Sequence, residues 1–169
     1  MQSCQIEDIP VFMTRLLNDI QFDHFLLVSA RLTTFVTYEI DGTYLPGFFP
    51  ADEEKTGDPS QEPPRYAPWR LVRPHLYSLI RGNNRPLEMK LVFQLSPHNQ
   101  EKLSGQLSSS LSADAVSGLY LNIHYKNNEV ICSGGLSHKT FTLDRQADQL
   151  WDMTIQKMLR SWKIPFVVR

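Results

Sequence analysis

The chain has 169 residues, of which 41% are hydrophobic and 21% charged, and a net charge of −1. A chain of this length buries ~70% of the surface its unfolded form exposes, so it needs no metal or disulfide staple to fold. The near balance of charge excludes a basic nucleic-acid tail or an acidic disordered segment as a description of the whole chain. Cys4 and Cys132 lie far apart with no CxxC, which excludes a disulfide framework and a clustered-thiol zinc site. The stretch 1–5 lacks the basic and apolar regions of a secretory leader. The longest apolar run, Phe25 to Ala30, is far shorter than the roughly twenty residues of a membrane span. A cytoplasmic protein with no membrane partner is the expectation.

In chain order, Asp8 and Pro10 suit the cap and first turn of a helix. Ile9, Phe12, Met13, Leu16, Leu17 and Ile20 then recur at helical spacing, which predicts a helix over 10–20. From Leu26 to Ile40 the pattern has period two, with Leu26, Val28, Ala30, Leu32, Thr34, Val36, Tyr38 and Ile40 on one face. That run exceeds the usual strand of about 5–6 residues, so it predicts either one curved strand or a break near Ser29–Arg31. Asp41-Gly42 reads as a hairpin turn, with Thr43–Leu45 beginning the return strand. Between Pro46 and Pro68 lie six of the eleven prolines, together with Asp52, Glu53, Glu54, Asp58 and Glu62. The segment 46–68 is expected to be a mobile acidic loop joining two halves of a single domain over 1–169.

A second helix is predicted over 69–81, with Trp69, Val72, Leu76, Leu79 and Ile80 as its apolar face and Pro74 kinking it or delaying its start. Leu87, Met89, Leu91, Phe93 and Leu95 alternate with polar residues as a half-buried strand. Ser96-Pro97 opens a weak third helix. Strands over 119–125 and 129–133 are joined by Asn127-Asn128, a hairpin signal. Gly134-Gly135 predicts a turn, followed by a strand over 139–143. Asp144 caps the last helix, whose face is Ala147, Leu150, Trp151, Ile155, Met158, Leu159 and Trp162, and Pro165 ends it. Strands in hairpin-linked runs between helices argue for an α+β fold, with a mainly antiparallel sheet and helices packed on one face.

No phosphate-cradling GxxxxGK[ST], dinucleotide GxGxxG, HExxH or GxSxG motif is present, and no cofactor or metal is expected. His24, His75, His98, His124 and His138 show no ligand spacing. His124 and His138 with Cys132 are the one group around which a small enzyme site could be built. Ser133 to Lys139 could form a backbone anion nest, although turn chemistry accounts for the same residues.

Charge is unevenly distributed. Residues 1–68 hold 4 basic and 11 acidic side chains, a charge of −7; residues 69–169 hold 13 and 7, a charge of +6. On the second helix Arg70, Arg73, Tyr77 and Arg81 fall within a sector of roughly 80°. Arg85 and Lys90 follow. Arginines interleaved with an aromatic ring suit phosphate contact with base stacking. A solvated helix face paired with local acids accounts for the same pattern.

Two resemblances add to this. The segments Phe22-Asp23-His24-Phe25-Leu26-Leu27-Val28, Thr33-Thr34-Phe35, Ile40-Asp41-Gly42, Phe93-Gln94-Leu95-Ser96-Pro97 and Lys139-Thr140-Phe141-Thr142-Leu143-Asp144 resemble an uncharacterised family of short proteins from gut Firmicutes. That resemblance implies a bacterial cytosolic protein and supplies no activity. The element order is similar to one domain of the DNA sliding-clamp family, with two βαβββ-like halves whose helices face DNA. It implies Arg15, Arg70, Arg73 and Arg81 as DNA-facing residues. Three functions follow for test. The first is a non-enzymatic binding protein, clamp-like, that meets nucleic acid or another anionic partner through Arg15, Arg70, Arg73, Tyr77, Arg81 and Arg85. The second is a scaffold that meets a protein partner through the last helix, with its Trp151, Trp162 and methionines. The third is a small enzyme built on His124, His138 and Cys132.

Overall fold

A computed structural model describes residues 2–48, 63–81 and 85–169. Eight strands form one antiparallel sheet in the order β3-β2-β5-β6-β7-β1-β8, with β4 paired to β2 off this path. The elements in chain order are β1 (Ser3–Ile6), α1 (Ile9–Leu17), β2 (Phe25–Thr33), β3 (Thr37–Asp41), β4 (Ala67–Pro68), α2 (Trp69–Ile80), β5 (Glu88–Leu95), α3 (Pro97–Gln106), β6 (Val116–Lys126), β7 (Glu129–His138), α4 (Gln146–Ser161) and β8 (Phe166–Val168). Short 3₁₀ turns cover Gln21–His24 and Ser109–Leu111. The fold class is α+β, as the hairpin-linked strands predict.

One face of the sheet carries the core. Met89, Leu91, Phe93 and Leu95 of β5 meet Leu119, Leu121, Ile123 and Tyr125 of β6 and Val130 and Cys132 of β7. Phe12, Leu16 and Leu17 of α1, Trp69 and Leu76 of α2, and Trp151, Ile155 and Leu159 of α4 cover them. The alternate strand residues, among them Lys90, Asn122, His124 and Ser133, are not buried. The order β1–α1–β2–β3 followed by β4–α2–β5–β6–β7 does repeat a strand–helix–strand unit. The two units do not make two sheets, because β2 pairs with β5 and β1 crosses over to lie between β7 and β8.

Several local expectations are corrected. The first helix ends at Leu17, so Ile20 lies beyond it and is 73% exposed. The long period-two run is a hairpin whose turn is Thr34-Phe35-Val36, closed by Thr34 N–H donating to the Val36 carbonyl at 2.8 Å. A bulge at Val28 shifts the β2 register between Leu27 and Ser29. Phe25 and Leu27 therefore face the core before the shift, and Ala30 and Leu32 after it. Gly42 is not a hairpin turn. A side chain there would overlap the Leu27 carbonyl oxygen, so close backbone approach requires glycine. The Asp41 carboxylate accepts from Thr43 N–H at 2.9 Å and from Thr43 Oγ1 at 2.7 Å, and of the expected return strand only a Thr43–Tyr66 bridge forms.

Gly134-Gly135 is not a turn either: β7 runs through both to His138, and 139–143 is no strand. The segment Ser133 to Lys139, read as a turn or else an anion nest, is thus extended strand over most of its length. A Cβ at Gly134 would come within 2.9 Å of Trp151 and Ile155, so the glycine admits α4 onto β7. The Asn127-Asn128 turn is as predicted, with both residues at positive φ of 52° and 58°. Pro74 lies within a continuous α2 that begins at Trp69. The acidic part of the predicted 46–68 loop falls outside the described residues. No helix among the described residues is long and apolar enough to cross a membrane.

Candidate functional site

Of the six candidate residues Arg15, Arg70, Arg73, Tyr77, Arg81 and Arg85, all but Arg70 sort into two groups. The sorting begins at Phe22. This ring is fully buried and lies 4.7–6.3 Å, centroid to centroid, from Phe12, Phe25, Phe93 and Trp162. Burying Phe22 fixes the 3₁₀ turn and presents its neighbour Asp23 to α2. There Asp23 takes Arg73 Nε on Oδ1 and Nη2 on Oδ2, both at 3.2 Å, while Arg73 Nη1 reaches the Leu17 carbonyl at 3.5 Å. Arg15 Nη1 donates to Asp19 Oδ2 at 2.6 Å and its Nε to the Trp162 carbonyl at 3.2 Å. Arg15 and Arg73 are therefore tethers of α1 and α2 rather than open cations.

Tyr77, Arg81 and Arg85 form the second group. They line a cleft of about 600 Å³. Ile9, Pro10, Met13 and Leu17 supply its wall from α1, Tyr77 and Ile80 supply it from α2 with Arg81 just past its end, and Arg85 and Pro86 supply it from the segment before β5. Tyr125 and Asn128 of the β6–β7 hairpin and Glu7 complete the lining. The cleft exists because α1 and α2 are held side by side: Trp69 Nε1 donates to the Leu16 carbonyl at 2.9 Å in the buried interior. Neither Arg81 nor Arg85 makes an ion pair with a described residue. Arg70 is exposed and does not line the cleft. Among the described residues, the site offers apolar walls, two phenol rings, an amide and two guanidinium groups against a single carboxylate.

Glu7, Met13, Tyr125 and Asn128 were not legible as site residues, because they come from two stretches of chain remote in sequence from α2. Only the Asn127-Asn128 hairpin, which turns the end of β6 toward α2, gave a signal.

The enzyme trio is not brought together. Cys132 is fully buried opposite Ile123, and desolvation pushes its thiol far above the ordinary range. Cys4, its direct partner across β1 and β7, is also raised, first by burial and then by Asp152. His124 lies on the other sheet face, opposite Ile131, with Nε2 2.7 Å from Glu88 Oε1. His138 is seven residues farther along β7 than Ile131, roughly 23 Å at strand spacing, and approaches Asp148 at 3.8 Å. The helical face expected to meet a protein partner is core: Trp151 is fully buried with Nε1 donating to the Tyr120 carbonyl, and Trp162 packs on Phe22. Among the described residues no three His, Cys, Asp or Glu side chains gather as metal ligands.

Residues 15–167 match the family model described as "Family of unknown function (DUF5721)". No curated protein and no solved structure matches the chain.

Proposed function

The chain belongs to the DUF5721 family of unknown function, and we propose that it is a non-enzymatic binding protein whose α1–α2 cleft takes a nucleic acid. The observation that carries this reading is the meeting of Tyr77, Arg81 and Arg85 at one cleft with apolar walls. The volume lies within the about 300–1,000 Å³ of sites that hold a small organic group. A guanidinium on the rim meets a phosphate, and an aromatic or apolar wall meets a base, a contact worth about 1–3 kcal/mol per base.

The separation of Cys132, His124 and His138 weighs against a reaction built on them. The clamp resemblance enters this reading only as element order, with α1 and α2 side by side. Arg15 and Arg73, two of the residues it would turn toward DNA, are held by Asp19 and Asp23. A bacterial cytoplasm is the setting we assign.

The test is fluorescence anisotropy with a labelled oligonucleotide at low salt. The wild type binds and the Arg81→Glu/Arg85→Glu double variant loses at least tenfold in affinity. Equal binding by both proteins would place the contact elsewhere, and an acidic polypeptide competing better than oligonucleotide would assign the cleft to a protein partner.

A further inference from the structure

We infer that the ligand segment seated in the cleft is an unpaired nucleotide, so that the protein selects single strands over duplex; this rests on the nucleic-acid reading above. A duplex presents phosphates on a convex surface and keeps its bases stacked inside, so it would use the two arginines and leave the rest of the cleft empty. With two guanidiniums at the rim among the described residues, charge alone is a weak hold. The remaining lining has the chemistry of a base site. Tyr77 provides an exposed aromatic ring, the largely buried Tyr125 part of the lining beneath it, Met13 a polarisable apolar wall, and the Asn128 amide both a donor and an acceptor for a base edge.

Two features favour a nucleotide over an acyl chain with one anionic head. An acyl chain has no use for the amide. Arg81 closes the end of α2 and Arg85 lies four residues farther on, so two separate anion contacts are offered, as a backbone with repeated phosphates requires. Tyr77 is 42% exposed, so its ring can be altered without opening the core.

The experiment titrates the full chain with three labelled 12-mers of one sequence: single-stranded, annealed to its complement, and with abasic sites throughout. The single strand is expected to bind at least tenfold tighter than either of the others. Tyr77→Ala should lower single-strand affinity about tenfold without changing its salt dependence, and Tyr77→Phe should restore it. Equal affinity for all three probes would overturn the inference and leave a charge-only contact with nucleic acid standing. Absence of binding to any of the three at low salt would overturn the nucleic-acid reading itself.

Discussion

The Arg73 guanidinium holds the Asp23 carboxylate through two parallel contacts, Nε to Oδ1 and Nη2 to Oδ2, each 3.2 Å long. Both side chains are about four-fifths shielded, at 19% and 20% exposure. The pair joins the middle of α2 to the 3₁₀ turn after α1 and lies outside the lining of the cleft. Asp23→Ala leaves the largely shielded Arg73 without its carboxylate. A loss of about 2 kcal/mol is expected in urea denaturation. Oligonucleotide affinity should change less than twofold, which separates this arginine from Arg81 and Arg85.

Trp69→Phe keeps most of the ring volume and removes the Nε1–H that meets the Leu16 carbonyl. That carbonyl is left buried without its donor, so a loss of about 2 kcal/mol is expected, read as a lower thermal midpoint. Because the bond ties α1 to α2, the same variant should weaken oligonucleotide binding.

Adjacent glycines in β7 give an internal control. Gly134→Ala must place a methyl within 2.9 Å of Trp151 and Ile155, and overpacking of this kind costs about 1–3 kcal/mol. Gly135→Ala finds its nearest neighbours at 3.6 and 3.7 Å on the opposite sheet face. Its effect should stay within about 0.5 kcal/mol. Similar losses in both variants would show that α4 does not press on β7 at Gly134.

This pair also marks how much of the fold was legible. The β5 strand, the Asn127-Asn128 hairpin and α4 could be read because side-chain periodicity and positive-φ turn chemistry are local properties. Gly134 and Gly42 were misread as turns because their reason is a partner distant in sequence, α4 in one case and the Leu27 carbonyl in the other. The terminal strands β1 and β8 are four and three residues long, too short to establish a period, and exist through pairing with β7 and with each other. Of the candidate site, Tyr77, Arg81 and Arg85 could be chosen by charge and helix phase. The tethering of Arg73 could not, since Asp23 meets Arg73 only after Phe22 is buried, whereas Arg15 and Asp19 stand at i,i+4 spacing.

Glu88 provides a pH prediction. The His124 hydrogen bond, with help from Lys126 and Lys90, holds its carboxyl below the ordinary value of 4.5. A group whose folded pKa is depressed adds stability above its unfolded pKa, and that stability disappears as pH falls through the folded value. Wild-type stability should therefore decline below about pH 4.5 more steeply than that of Glu88→Gln, in thermal melts taken from pH 6 to pH 3. Parallel pH profiles would show that the His124 contact does not persist in solution.

The most direct measurement of the central claim is the salt dependence of single-strand binding. Two arginines at the cleft rim predict that log affinity falls with log salt at a slope of about −1.4, from about −0.7 per phosphate contact. Arg81→Gln should bring the slope to about −0.7, and removing both arginines should bring it close to zero. Oligonucleotide binding whose slope is unchanged by both substitutions, or no binding at low salt, would contradict the assignment of the cleft.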